Sequence, residues 1–406
     1  MSPQELLPLL PKKLEFEERI KRLCESASAA CGDWDAVFIV DKLNQYYLTG
    51  TIQDGLFVLL PDGSHAYFVR RSIERARLEC QVSDVYPMTS YREVKEHLAG
   101  RGSRPVQKVL LETEVVTYAM LERLKRHFAL VEVLPVDRIM AKLRSQKSPY
   151  ELAWIEESGR QHAYLLETIV PEVLFEGQNE ADFVAELYAR MVKLGYHGVS
   201  RFGMFQTTLV VGQVGFGENS IYPTCFDGPG GMKGLCPAVP IVGDRQRRLQ
   251  KGDLVFVDIG YGVNGYHSDR TQVYMFGAQP APELVAAHRR CRDVQSLVAG
   301  LLRPGNIPSE VYKTAMDSLE PSFLENFMGF GTRTVSFLGH GVGLQIDEYP
   351  VISKGFDEPF EEGMVMAVEP KKGLPGIGMV GVEDTYIVTP TGGRCITGGE
   401  KEIIVI

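Results

Sequence analysis

The chain has 406 residues, 44% hydrophobic and 23% charged, with a formal net charge of -9. At roughly 150 residues per domain this length suggests two or three domains, and an acidic balance without a long Lys/Arg run argues against nucleic acid as the main partner. Seven scattered cysteines without a CxxC pair read as reduced thiols, Met1–Leu10 lacks the make-up of a signal peptide, and no long apolar run occurs, so a cytoplasmic protein without membrane spans is expected.

Apolar residues at helical spacing (Leu14, Phe16, Ile20, Leu23) predict a helix over 14–30, stopped at Gly32-Asp33. A strand at Ala36–Val40, a loop from Asp41 to Gly50 and a hairpin over Leu56–Val69, turning at Pro61-Asp-Gly63, follow. Helical stretches at 71–80, 90–99 and 114–128 alternate with strands at 108–112 and 129–134, the pattern of an α/β domain. Near residue 145 a boundary is expected, because Ser148-Pro-Tyr-Glu151 combines an N-cap Ser, Pro at the first helical position and Glu at N3. One helix should run from Glu151 to about Leu174 and another from Ala181 to Leu194. Beyond Gly195 the texture changes to strands, including Thr207–Val211, and long Gly/Pro loops such as Tyr222–Gly231. Helices at 283–302 and 308–319 precede the last strands, which predicts an α+β domain with helices on one face of a mostly antiparallel sheet.

The chemistry gathers on two hairpins. Leu254–Asp269 runs from an apolar strand through a glycine-rich turn, and Asp258 and Asp269 are symmetric about the Val263–Asn264 step. With Gly262–Gly265 as the turn, the two acids would face each other, a destabilising pairing unless a cation sits between them. Met364–Val388 repeats the design: Glu369 ends a strand, Pro370–Gly378 turns, and Glu383 mirrors Glu369 about Gly376. Between the hairpins lies Leu338-Gly-His-Gly-Val-Gly-Leu344, whose glycines leave His340 unshielded. Four carboxylates and an imidazole suit two divalent ions (Mn²⁺, Fe²⁺, Co²⁺ or Zn²⁺) with a bridging water acidified enough to supply hydroxide. An acid ending a strand is ordinarily just the first polar residue of a loop. Two mirror-spaced pairs with a Gly-flanked His make that reading less natural.

These motifs resemble the pita-bread metallopeptidase family of prolidase, aminopeptidase P, methionine aminopeptidase and creatinase. The likeness rests on Val257–Gly260, Gly265–Thr271, Gly339–Gly343, Val368-Glu-Pro370 and Val382-Glu-Asp384, with Asn44–Gly50 and Lys147–Glu151 extending it. It implies a creatinase-type N-terminal α/β domain over 1–146 and a pita-bread catalytic domain over 147–406, α+β overall. It also implies that Asp258 and Asp269 hold one ion, that Asp269 and Glu383 bridge to a second completed by His340 and Glu369, and that Glu369 or Glu383 handles protons. The implied activity is hydrolysis of an amide in a short peptide, by default a Xaa-Pro bond, with a homodimer as the usual assembly.

Two departures concern the substrate pocket. Where the resembled family has a second His seven residues after the metal His, this chain has Asp347, and the loop 219–231 lacks the family's His. An anion at Asp347 would repel a substrate carboxylate and favour a cationic group; capping a loop or pairing with Arg is its bland role. His197, Arg201 and Tyr222 are further candidates for substrate contacts, with a surface His beside a turn the plainer identity of His197. His267 ranks below the five metal candidates, and His65, His97, His127, His162 and His288 read as structural or exposed. The alternatives are a creatinase-like hydrolase or lyase acting on a small cationic metabolite, and a non-catalytic binding protein on the same fold.

Overall fold

The computed structural model describes residues 12–203, 208–224, 226–399 and 401–406. Met1–Leu10, Thr207 and Cys225 of the sequence reading lie outside them. The chain divides into two compact units, one ending at Arg144 and the other comprising Ser145–Ile406. Among the described residues no helix is long and apolar enough to cross a membrane, and Cys24, Cys31, Cys80, Cys236, Cys291 and Cys395 are free.

The first unit is a six-stranded mixed sheet with spatial order 85–87, 65–69, 55–59, 36–39, 108–111, 132–135. The strand at 36–39 is buried at every position and pairs antiparallel with 55–59 and parallel with 108–111, so it reads as a continuous apolar run. The opening helix, Lys12–Cys31, lies where expected. Asp41–Gly50 corrects the expected loop: Lys42–Thr49 is a helix. Asp41 caps it by accepting the N–H groups of Leu43 and Asn44, and Gly50 ends it at φ 81. Its inward face mixes Asn44, Gln45 and Thr49 with Tyr47 and Leu48, so too few apolar positions marked a helical period. The helix Asp137–Ser145 and the short strand Val85–Pro87 also went unpredicted.

The second unit starts on the expected capping box, with the Ser148 hydroxyl accepting from Glu151 N and the Glu151 carboxylate accepting from Ser148 N. The helix Pro149–Tyr164 continues through one π-helical turn, Leu165–Ile169, into Val170–Val173. Ser158 Oγ donates to the carbonyl of Tyr261 at 2.8 Å, seating this helix on the first acidic hairpin. Glu180–Lys193 is the second predicted helix. Helices Pro282–Leu301 and Pro308–Asp317 bury Cys291, Val294, Val298, Val311 and Ala315 against Leu338, Ile352, Met366 and Val388 of a five-stranded antiparallel sheet. That sheet carries His340 on the strand 337–341 and orders its strands 348–353, 337–341, 365–368, 384–389, 392–395.

The hairpin register differs from expectation. Asn264 and Gly265 form the two-residue turn, both with positive φ (50 and 92), as its right-handed twist demands. Asp258 therefore pairs with Thr271, and Asp269 with Gly260. The acids sit diagonally rather than face to face, but a slip of two residues keeps both on one face of the ribbon. The second hairpin has the expected register, Lys371 opposite Gly381 and Leu374 opposite Gly378, centred on Gly376. Its supposed turn from Pro370 is shorter than expected, because 371–374 is itself a strand.

Candidate metal centre

The two hairpins are joined edge to edge at the acids. Thr271 N donates to Glu383 O at 3.2 Å and Thr271 Oγ1 to Glu383 Oε2 at 3.0 Å, while Thr385 Oγ1 donates to Asp269 O and accepts from Asp269 N. The mixed ladder of backbone and threonine hydroxyls fixes Asp258, Asp269, Glu369 and Glu383 on one buried patch. His340 reaches it from the neighbouring strand. Its Nδ1 lies 3.1 Å from the Gly341 carbonyl, which can only accept, so Nδ1 carries a proton and Nε2 faces the acids. Nε2 is 3.3 Å from Glu369 Oε1 and 3.9 Å from both Asp269 Oδ2 and Glu383 Oε1.

A cation is already present in the patch. Lys371, fully buried, places Nζ 3.0 Å from Asp258 Oδ2, 2.8 Å from Glu369 Oε2 and 2.7 Å from Glu383 Oε2. Burial opposes its charge, but the three carboxylates outweigh burial and hold its pKa well above the usual lysine value. Burial lifts Asp258 to about 7 against the pull of Lys371, and lifts Asp269, flanked by Glu383 and Asp258, well above the ordinary carboxylate range. In His340 burial is overcome by Glu369, Asp269 and Glu383, which raise the imidazole to about 10. Lys371 is the member of this cluster that sequence reasoning missed. Glu369 and Lys371 are two apart, so they share a face if the strand continues past Pro370; reading Pro370 as the strand's end hid it.

Three of these side chains could hold a divalent ion between them. Asp269, His340 and Glu383 each offer a ligand atom within 4.8 Å of the others. Glu383 Oε1 is buried without a hydrogen-bond partner, an orphan that a cation would satisfy. On the Asp258 side the oxygens converge on an ammonium instead.

Above the acids opens a cavity of about 400 Å³, into which Asp258, Asp269, His340, Glu369 and Glu383 all face. Its walls are mainly apolar, with Phe202, Leu209, Val211, Phe226, Phe337 and Ile346, and Asp227 and Asp347 add acid groups. The His-free loop thus contributes Phe226 and Asp227. Asp347 Oδ1 accepts the Gly203 N–H at 2.6 Å, so it both anchors a loop and borders the cavity; burial raises its pKa.

The other three substrate candidates do not border the cavity. Tyr222 stands beside a separate crevice and is about half exposed. Arg201 gives its carbonyl to Ile346 N at 2.8 Å. His197, expected as a surface residue beside a turn, is partly buried: its ring stacks on Tyr196, accepts Gly265 N at Nδ1 (3.1 Å) and lies 3.3 Å from His267. Burial and His267 push its pKa down to about 3. A Cβ on Gly262 would clash with that ring, so the glycine makes room for it. His267 is buried, with Nδ1 3.0 Å from the Gly343 carbonyl.

Residues 153–390 match the model of metallopeptidase family M24, and residues 19–146 that of the creatinase/prolidase N-terminal domain. The chain belongs to metallopeptidase family M24. This M24 chain is 26% identical over 391 residues to a Xaa-Pro dipeptidase of Pyrococcus furiosus, covering 96% of this chain and 100% of the relative. Its fold is that of a Xaa-Pro dipeptidase from Bacillus anthracis (TM-score 0.79, 24% identity, 96% and 100% of the two chains covered). It is likewise that of an X-Pro aminopeptidase from Thermotoga maritima (TM-score 0.75, 20% identity, 95% and 99% covered). A creatinase-type N-terminal domain and a pita-bread catalytic domain, α+β together, are therefore its architecture.

Proposed function

We propose that this M24 chain hydrolyses an amide bond in a short peptide, with a Xaa-Pro bond as the family's default substrate. The observation that carries the reading is the convergence of Asp269, His340 and Glu383 at the floor of a cavity large enough for a dipeptide-sized ligand. A divalent ion bound there, of the Mn²⁺, Fe²⁺, Co²⁺ or Zn²⁺ class, would supply Lewis acidity toward water and the scissile carbonyl. Glu369 is the proton carrier: Lys371 ties its Oε2, leaving Oε1 beside His340 to take a proton from water and pass it to the leaving nitrogen. The apolar walls bind side chains and exclude water. The name of the Pyrococcus furiosus relative supports a Xaa-Pro substrate. We assign 1–146 and 147–406 to the two domains and take the protein as a cytoplasmic homodimer, an assembly that light scattering on the purified protein checks.

A second reading, restricted to the substrate's free end, rests on charge. Among the described residues lining the cavity, His340 is the only basic one, while Asp227 and Asp347 are acidic. A substrate with a free amine and no nearby carboxylate fits better than a free dipeptide, which favours aminopeptidase-type cleavage or a small cationic amide. The test uses protein stripped of metal and reloaded with Mn²⁺, offered Xaa-Pro peptides with free and amidated C-termini, non-proline controls and a cationic amidine. Cleavage at Xaa-Pro, faster for the amidated peptides, is expected. Failure on every peptide refutes the peptidase reading.

A further inference from the structure

Lys371 is built into the acid cluster with the geometry of a ligand-bound cation. Its three N–H donors meet three oxygens from three different carboxylates at 2.7–3.0 Å, the range of charge-assisted hydrogen bonds, and leave none unsatisfied. Divalent ions bind carboxylate oxygens at about 2.0–2.2 Å, so Nζ and an ion cannot share this position. Lys371 lies opposite Gly381, where a Cβ would clash with the Pro370 carbonyl and Lys371 Cα and press on Lys371 Cγ, so only glycine lets the lysine strand approach this closely. Glu369 and Glu383 each give Oε2 to the ammonium and turn Oε1 toward His340. They bridge two cationic positions, one already filled by the chain itself.

We propose that the Lys371 ammonium permanently replaces one of the two ions that the resemblance implied, so that this protein takes up a single divalent ion, at Asp269, His340 and Glu383. Asp258 then serves as a partner of the ammonium rather than an ion ligand. Four carboxylates facing one divalent ion and one ammonium keep about one net negative charge, which keeps the floor of the cavity attractive to a cationic group. The inference shares its ion position with the proposed peptidase reading but does not depend on turnover.

The test is ion stoichiometry by elemental analysis. Wild type, Lys371→Gly and Asp258→Asn are stripped with a chelator, reloaded separately with Mn²⁺ and Zn²⁺, and freed of excess by gel filtration. One ion per chain in wild type and two in Lys371→Gly are expected. Two ions or none in wild type, or one in a folded Lys371→Gly, overturn the proposal. Should the glycine variant fail to fold, Asp258→Asn decides: it keeps one ion with affinity within about threefold of wild type, and its loss of the ion overturns the proposal. A protein that holds one ion and cleaves no peptide keeps this inference and discards the peptidase reading.

Discussion

Glu369 and Glu383 each look two ways, toward Lys371 on the inner side and toward His340 on the cavity side, so one pair of carboxylates meets two different environments. The inner side is closed: Lys371 is 0% exposed, and every N–H it has is used. The cavity side is open, with Asp269 and His340 each 12% exposed and Glu383 Oε1 without a hydrogen-bond partner. An inner carboxylate thus has a counterion tethered to the chain, whereas a carboxylate at the cavity depends on an exchangeable one. Acids of the same type, a few ångströms apart, are expected to respond oppositely to metal removal.

The largest effect expected is from Lys371→Ala in metal-free protein. Removing one partner of a buried ion pair leaves uncompensated charge and costs about 3–5 kcal/mol. Urea unfolding in chelator reads this, and added Mn²⁺ should restore most of the loss. A loss under about 1 kcal/mol would erase the distinction between the two sides. Next comes His340→Ala, which strikes the exchangeable side. Ion affinity should fall by about 100-fold or more, since even a supporting partner of a metal ligand is worth 10–100-fold, while the metal-free protein should lose less stability than Lys371→Ala does. Competition with a chromogenic chelator measures the first and urea unfolding the second.

Glu180 gives a third kind of buried carboxylate, whose partners are the N–H groups of Phe216, Asn219 and Asp244. Burial lifts its pKa from 4.5 to about 7 against those donors. A folded-state pKa raised above the unfolded one contributes stability that is full below pH 4.5 and lost as pH rises toward 7. Its share is up to about 3 kcal/mol at 1.36 kcal/mol per pKa unit. Glu180→Gln should flatten that slope between pH 4.5 and 7 in unfolding measurements; an unchanged slope would show that neutral donors hold a carboxylate as well as Lys371 does. The smallest effect is expected at Asp347→Asn, where the preference for amidated over free-carboxylate peptides should shrink by about tenfold, equivalent to ~1.4 kcal/mol, as read by kcat/KM.

The sequence showed the acids because their spacing encodes pairing, and the reading survived a wrong register because a slip of two preserves the face. Asp258 and Asp269 are diagonal neighbours, yet both still point into one patch. Lys371 escaped notice for the opposite reason. Lys371 and Lys372 are adjacent and alike in sequence, and only strand parity separates them: Lys371 turns in to the acids, while Lys372 turns out to the Phe323 carbonyl. The Lys42–Thr49 helix was obscured by the polar residues, Asn44, Gln45 and Thr49, on its buried face. The cavity walls Phe202, Phe226 and Phe337 come from segments distant in sequence that carry no period, so nothing local announced their meeting.

The most direct measurement is anomalous diffraction at the manganese edge from crystals loaded with Mn²⁺. The single-ion proposal requires one peak per chain among Asp269, His340 and Glu383, with Lys371 Nζ still in contact with Asp258. Two peaks, the second against Asp258 with Lys371 turned away, would contradict it.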